Sequence, residues 1–229
     1  GFAILSFGVS FLISNQITGR ILVPQFGTKK IMTIGIVIIS LSNIILVSTP
    51  QSHIFLLAHI PAGIGWGSSG PIGGIHAQLI EKHSGKIISP YYAMGFNIGI
   101  FVGGILAGFI LRNEINPTFI FLILFFISLL VSIIVYINGL TKDLDFKGEG
   151  EKLKLPEKNV LVFGFLLFVI FGSNGIIIDW SALWFAKELN APLYLASLGL
   201  IFLSFGGILA NLFSNQLINL FSEKIVGCY

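Results

Sequence analysis

A single acidic side chain lies inside one of the long apolar stretches of this 229-residue chain. Between Lys158 and Lys187 the only charged residue is Asp179, and a stretch of that length can cross a bilayer. Intramembrane carboxylates are costly unless they face protein or water, so Asp179 is a candidate for coupling proton movement to solute binding. The alternative is structural. At roughly 28 Å along its helix, Asp179 would lie near the membrane surface, where Trp180 and Trp184 form an ordinary aromatic belt.

Five further residues in apolar stretches are candidates for contact with a substrate or a proton: Trp180, Asn97, Asn174, His76 and Gln78. His76 and Gln78 lie about 200° apart around a helix, so they do not both face one cavity squarely. Asn174 and Asp179 lie about 140° apart and share a cavity only if the helix unwinds there. No second His or Cys is at ligand spacing, so no metal site is expected. No catalytic triad or phosphate-binding loop is visible, so neither an enzyme activity nor a cofactor is expected.

The composition of the chain places it in a membrane. It is 55% hydrophobic and 10% charged, with a mean hydropathy of +0.94, whereas soluble domains carry roughly 25% charged residues. This excludes a soluble enzyme, a nucleic-acid-binding protein and a disordered chain. Since a span needs about 20 apolar residues, the charge-poor runs predict an all-α polytopic bundle of seven helices. The predicted spans are 2–23, 31–48, 54–80, 87–111, 118–138, 159–186 and 194–220.

Basic residues are concentrated on alternate loops between the predicted spans. In the loops that alternate with the basic ones, the only basic residues are Arg112 and Lys187. This is the positive-inside pattern, which predicts a multi-pass protein of the inner cell membrane with its basic loops in the cytoplasm. The segment 139–158 mixes lysines with acids and glycines, as is typical of a solvated cytoplasmic linker. The basic loops hold Lys29 and Lys30, then Lys82 and Lys86, then the lysines of 139–158, and finally Lys224.

Glycine and proline inside the spans predict close packing and a bend. Gly70-Pro71 removes a backbone hydrogen bond from the third span, which predicts a kink there. Gly99 and Gly103 lie four residues apart on the fourth span, a spacing that lets the backbones of two helices approach closely. We therefore expect helix packing, rather than ligand binding, at these four residues.

A weak internal repeat relates the first span to the last. Three short stretches in and after the first span recur, in the same order, in and after the seventh span. The repeat suggests that these two spans are equivalent helices of two halves, an arrangement known in transporters built from parallel repeats. The matching pairs are 5–8 with 203–206, 14–16 with 214–216, and 26–29 with 221–224.

Seven spans, a charged central linker and this repeat together resemble the major facilitator superfamily. The signature loop that follows helix two of that superfamily matches this chain at Gly27 and Lys29, and Lys30 extends its basic end. We refer to these three residues as the gate loop. Pro24 stands where the signature has Asp. The stretch 175–183, with the sequence GIIIDWSAL, resembles helix seven of the YbjJ-type bacterial permeases, a branch of the superfamily.

The resemblance implies that the chain is a sequence fragment containing superfamily helices two to eight. It implies an N-terminal bundle at 1–138, a cytoplasmic linker at 139–158 and the start of a C-terminal bundle at 159–229. The expected function is that of a monomeric secondary transporter in the lipid bilayer, which moves a small solute by alternating access, with protons coupled through Asp179. The gate loop is expected to take part in the cytoplasmic gate. Asn174 stands where YbjJ-type permeases have Glu, so a relative's substrate does not carry over.

Two other interpretations of the sequence stay open. One is a seven-helix membrane receptor or sensor, and the other is a truncated gene product that does not transport. The last span has no lysine for a retinal Schiff base, and a receptor gives the internal repeat no role. Both points favour the transporter.

Overall fold

Seven long helices account for almost all of the chain that the structure, a computed structural model, describes: residues 1–140, 144–145 and 157–221. These residues include no strand, so the predicted all-α fold class is confirmed. Most of the predicted linker, 139–158, and most of the repeat at 221–224 lie outside the described residues. The helices are α1 (Phe2–Phe26), α2 (Thr28–Ser48), α3 (Ser52–Ser84), α4 (Ser89–Arg112), α5 (Pro117–Asn138), α6 (Lys158–Lys187) and α7 (Leu198–Phe221).

Six of these helices are long and apolar enough to cross a membrane, and α3 is the exception. It has 33 residues, or about 50 Å of helix, so its length is ample and only its hydropathy falls short. Its glycines, serines and histidines lower the average. Many of them are buried, including Gly63, Ser68 and His76, because α3 packs against both α1 and α2. A helix covered by its neighbours needs less hydrophobicity than one that faces lipid.

The described helices form two compact units. The first contains α1, α2, α3 and α5, and the second contains α4, α6 and α7. In the first unit α3 packs against α1 and α2, and α2 also packs against α5. In the second unit α4 and α6 each pack against α7. The division into bundles at 1–138 and 159–229 stays a prediction.

Glycines let α3 approach both of its neighbours closely. A Cβ atom at Gly65 would lie 2.6 Å from the backbone nitrogen of Ile39 on α2, well inside ordinary contact distance. On the other side of α3, a Cβ atom at Gly63 or Gly67 would collide with the backbone of Phe11 and its neighbours on α1. Alternate glycines therefore serve the two interfaces, which is the close packing that small residues permit in membranes.

The predicted kink at Gly70-Pro71 stays a prediction. α3 is one continuous helix from Ser52 to Ser84, with Pro61 and Pro71 both inside it. Unexpectedly, the irregular helix is α1, which contains a π-helical segment at Thr18–Leu22. Pro24 explains the irregularity, since it lacks the N–H that would bond to the carbonyl of Arg20.

Small residues also bring α4 against α7 in the second unit. A Cβ atom at Gly104 would lie 2.8 Å from the Ile201 side chain of α7, and one at Gly108 would lie 3.0 Å from the carbonyl of Tyr194, in the short helical turn Leu193–Leu195 that precedes α7. Apart from the adjoining backbone of α4 itself, no described residue lies within 4 Å of a Cβ atom built at Gly99 or Gly103. Packing at Gly99 and Gly103 therefore stays a prediction. The glycines that make the close contact described here are Gly104 and Gly108.

Candidate functional site

The stretch on α6 that contains Asp179 packs against α7 through a different residue. A Cβ atom at Gly199 of α7 would lie 2.6 Å from the hydroxyl oxygen of Ser181, so the two helices meet there. Asp179 is two residues earlier, about 200° around the helix, and it is exposed. Trp180 is also exposed, with 52% of its surface accessible. The contact with α7 thus leaves the carboxylate uncovered by the described residues.

Asp179 lies closer to the end of α6 than to its middle. It is eight residues before Lys187, the last residue of the helix, or roughly 12 Å from that end. The 30 residues of α6 span about 45 Å, against about 30 Å of hydrocarbon. A helix centred in the bilayer would therefore hold Asp179 just inside the boundary of the apolar layer. Both a proton-exchanging carboxyl and an aromatic belt at Trp180 and Trp184 are compatible with that depth.

Asn97, another candidate, lies in the contact between α4 and α7. Its Nδ2 donates to the Ala93 carbonyl at 3.0 Å, and its Oδ1 would lie 2.5 Å from a Cβ atom at Gly207. Asn174 on α6 is half-buried. Of the hydrogen bonds described here, none joins Asn97, Asn174 and Asp179 to one another, so a shared site for these three residues stays a prediction.

His76 and Gln78 lie on opposite sides of α3, as their spacing predicts. Gln78 is exposed, whereas His76 is buried and its Nδ1 lies 2.8 Å from the hydroxyl oxygen of Thr28, at the start of α2. The Thr28 hydroxyl also donates to the carboxylate of Asp145, which follows α5. The sequence did not single out Thr28 or Asp145. The available signal was a threonine at a helix N-terminus, where carboxylates are favoured.

The gate loop lies at the junction of α1 and α2 and contacts the end of α5. Gly27 has φ of +83°, which favours glycine, and it separates the two helices. The Lys29 ammonium lies 5.6 Å from the centre of the Tyr136 ring, within cation–π distance. These contacts place the α1–α2 junction and the end of α5 at the same end of the first unit. Which side of the membrane that end faces stays a prediction.

The first unit also contains an open groove of about 570 Å³ between α1, α2 and α3, with Lys30 among its lining residues. Seven of its fourteen lining residues are isoleucines. The four hydroxyl residues in the wall already bond within the protein. Ser10 donates to carbonyls of its own helix, Ser14 and Ser68 to each other or to the Ile64 carbonyl, and Thr18 to Ser68. The groove thus presents an almost wholly apolar surface.

Comparison with known proteins identifies the family. The family model of the Major Facilitator Superfamily matches residues 1–227. An uncharacterized MFS-type transporter of Yersinia pestis is 25% identical over 191 residues, which cover 80% of this chain and 47% of that protein. Multidrug resistance protein 2 of Bacillus subtilis (strain 168) is 30% identical over 117 residues, which cover 49% of this chain and 29% of that protein.

The chain thus spans about half the length of the first relative and less than a third of the second. No solved structure matches it. The family match confirms the resemblance to the major facilitator superfamily and disfavours a receptor. The narrower resemblance to YbjJ-type permeases stays a prediction. With six apolar helices of membrane-spanning length and a family match along nearly its whole length, this chain is a multi-pass membrane protein that belongs to the major facilitator superfamily of transporters.

Proposed function

We propose that the protein to which this chain belongs is a secondary active transporter, which moves a small solute across the cell membrane by alternating access. The observation that carries the proposal is the family match over residues 1–227. We also propose that it acts as a monomer and without a cofactor.

We further propose that protons drive this transport and that Asp179 carries the coupling proton. The support for this role of Asp179 is chemical. An acidic side chain within a span is costly, so it is seldom retained without a role, and Asp179 is left exposed by the contact between α6 and α7. Trp180, Asn174 and Asn97 are the proposed neighbours in a substrate cavity, and His76 and Gln78 are further candidates on α3.

The gate loop is the proposed cytoplasmic gate. Gly27 sets the direction of the turn between α1 and α2, and the contact with Tyr136 holds Lys29. Lys30 stays exposed beside the groove. A loop whose backbone is fixed and whose second lysine is exposed suits an element that makes and breaks contacts during a transport cycle.

The test is transport by the full-length protein in proteoliposomes, with and without an imposed pH gradient. The lipophilic cation ethidium is the first probe, because one relative is named a multidrug resistance protein. We expect Asp179→Asn to abolish the part of the ethidium flux that depends on the gradient and to leave gradient-independent exchange intact. Glu188→Gln, which neutralises an exposed acid just after α6, is the matched control. Gradient-driven flux through Asp179→Asn at the wild-type rate would show that the proton role is wrong.

A further inference from the structure

The carboxylate of Asp145 binds the first residue of α2 through two hydrogen bonds. The backbone N–H of Thr28 donates to Oδ2 at 2.8 Å, and the Thr28 hydroxyl donates to Oδ1 at 2.7 Å. The hydroxyl has only one proton, so its oxygen accepts the third bond, from Nδ1–H of His76 at 2.8 Å. We refer to Gly27, Thr28, His76 and Asp145 as the clasp. It joins three segments that are far apart in sequence.

Burial makes the clasp a strong contact. Thr28 is fully buried, and His76 and Asp145 each expose only 7% of their surface. A buried carboxylate is costly unless it is paired and hydrogen-bonded. Here the partners are the N–H and hydroxyl at a helix N-terminus, where the helix dipole also favours a negative charge. Bonds of this kind, with one charged partner, are stronger than neutral ones.

Asp145 also explains why the gate loop contains a glycine. A Cβ atom at Gly27 would lie 2.5 Å from Oδ2 of Asp145, so a side chain there would displace the carboxylate. The positive φ of Gly27 is a second, independent reason for glycine at this position. The turn between α1 and α2 therefore has the conformation and the space that the carboxylate needs.

We propose that Asp145 is a positioning residue that holds the gate loop in place from the segment that follows α5. All four clasp residues belong to the first unit, so the clasp fixes the loop within that unit. The lysine that follows Thr28 is held from the same direction, since Lys29 contacts both the Tyr136 ring and Gly139. The role in gating rests on the proposed transport function, whereas the positioning of the loop does not.

The first experiment is hydrogen–deuterium exchange on the full-length protein in lipid nanodiscs. Asp145→Asn and Thr28→Val should each speed exchange at the amides of residues 28–31 by about tenfold or more, since each removes a buried bond to a charged group. The double variant should add little to either single one, because both break the same contact. Thr28→Ser, which keeps the hydroxyl, should exchange like the wild type. Glu157→Gln, an exposed acid of the same linker, is the matched control.

The second experiment measures ethidium flux through the same variants in proteoliposomes. A positioning role predicts a lower maximal rate with an unchanged KM in Asp145→Asn, and a wild-type rate in Thr28→Ser. Exchange at residues 28–31 that is unchanged in Asp145→Asn would overturn the clasp itself. Faster exchange with an unchanged rate would overturn its role in gating. If the wild-type protein moves no ethidium down or against a gradient, that result counts against the proposed function, and the exchange experiment still decides the clasp.

Discussion

The substitution Gly65→Ala tests whether the backbone contact between α2 and α3 stabilises the first unit. The new Cβ atom would lie 2.6 Å from the Ile39 nitrogen and 2.8 Å from the Gly35 carbonyl oxygen. Ordinary contact begins at 3.4 Å, so the two helices would have to separate by about 0.8 Å. Neither of the atoms that it meets belongs to a flexible side chain. Overpacking of this kind costs roughly 1–3 kcal/mol.

Alanine also favours the helical backbone over glycine by about 1 kcal/mol, which opposes the clash. Gly70→Ala isolates that second effect, because its Cβ atom would lie 3.6 Å from the Trp66 ring, an ordinary contact within α3. We expect Gly70→Ala to be neutral or slightly stabilising and Gly65→Ala to be destabilising. The two variants should differ by about 2 kcal/mol, which corresponds to roughly 4–8 °C in Tm.

The measurement is the temperature at which the detergent-solubilised full-length protein loses its monomer peak in gel filtration, with one heating protocol for all variants because membrane proteins unfold irreversibly. Gly35→Ala should behave like Gly65→Ala, and the double variant should cost less than the sum, since one separation accommodates both methyl groups. A Gly65→Ala variant as stable as Gly70→Ala would refute the contact between the α2 and α3 backbones.

Two further substitutions test contacts in both units by the same assay. Gly207→Leu should destabilise the α4–α7 contact by roughly 1–3 kcal/mol, because the new leucine side chain meets the Asn97 amide. Adding Asn97→Ala should recover part of that stability. If it recovers none, the leucine clashes with a residue other than Asn97. Asn116→Ala should cost about 1 kcal/mol, since Asn116 Oδ1 accepts from the Thr118 N–H at the start of α5, and an Asn116→Asp variant that matches the wild type would support the cap.

The existence of the spans could be predicted from the sequence because a membrane demands long apolar runs, and the boundaries agree to within a few residues for most helices. α3 is the instructive departure. Its helix extends to Ser84, beyond the predicted end at 80, and its hydropathy is lower than that of the other helices. The π-helical segment of α1 was not predicted, although Pro24, its physical cause, stands in the sequence.

The candidate site was less accessible to sequence reasoning. Asp179 could be singled out because a charge in an apolar run is conspicuous. Asp145 could not, because it is one of several acids in a charged segment and its partner Thr28 is 117 residues away. Likewise, glycine spacing predicts that a helix packs closely, but it does not tell which helix lies opposite. The choice of Gly104 over Gly103 for the contact with α7 depends on the rotation of α4, which only the tertiary structure sets.

The occupied hydroxyls of the groove change what hydropathy means for this chain. A hydropathy scale assigns Ser14, Thr18 and Ser68 an unfavourable free energy of transfer, because their hydroxyls lose hydrogen bonds to water. Each of these hydroxyls, however, already has a hydrogen bond inside the protein. Removing such a side chain from water costs little further free energy. The groove wall should consequently resist wetting, since a water molecule would find too few unoccupied polar partners there. Ser68 is one such residue on α3, so that helix is more compatible with a membrane bundle than its hydropathy suggests.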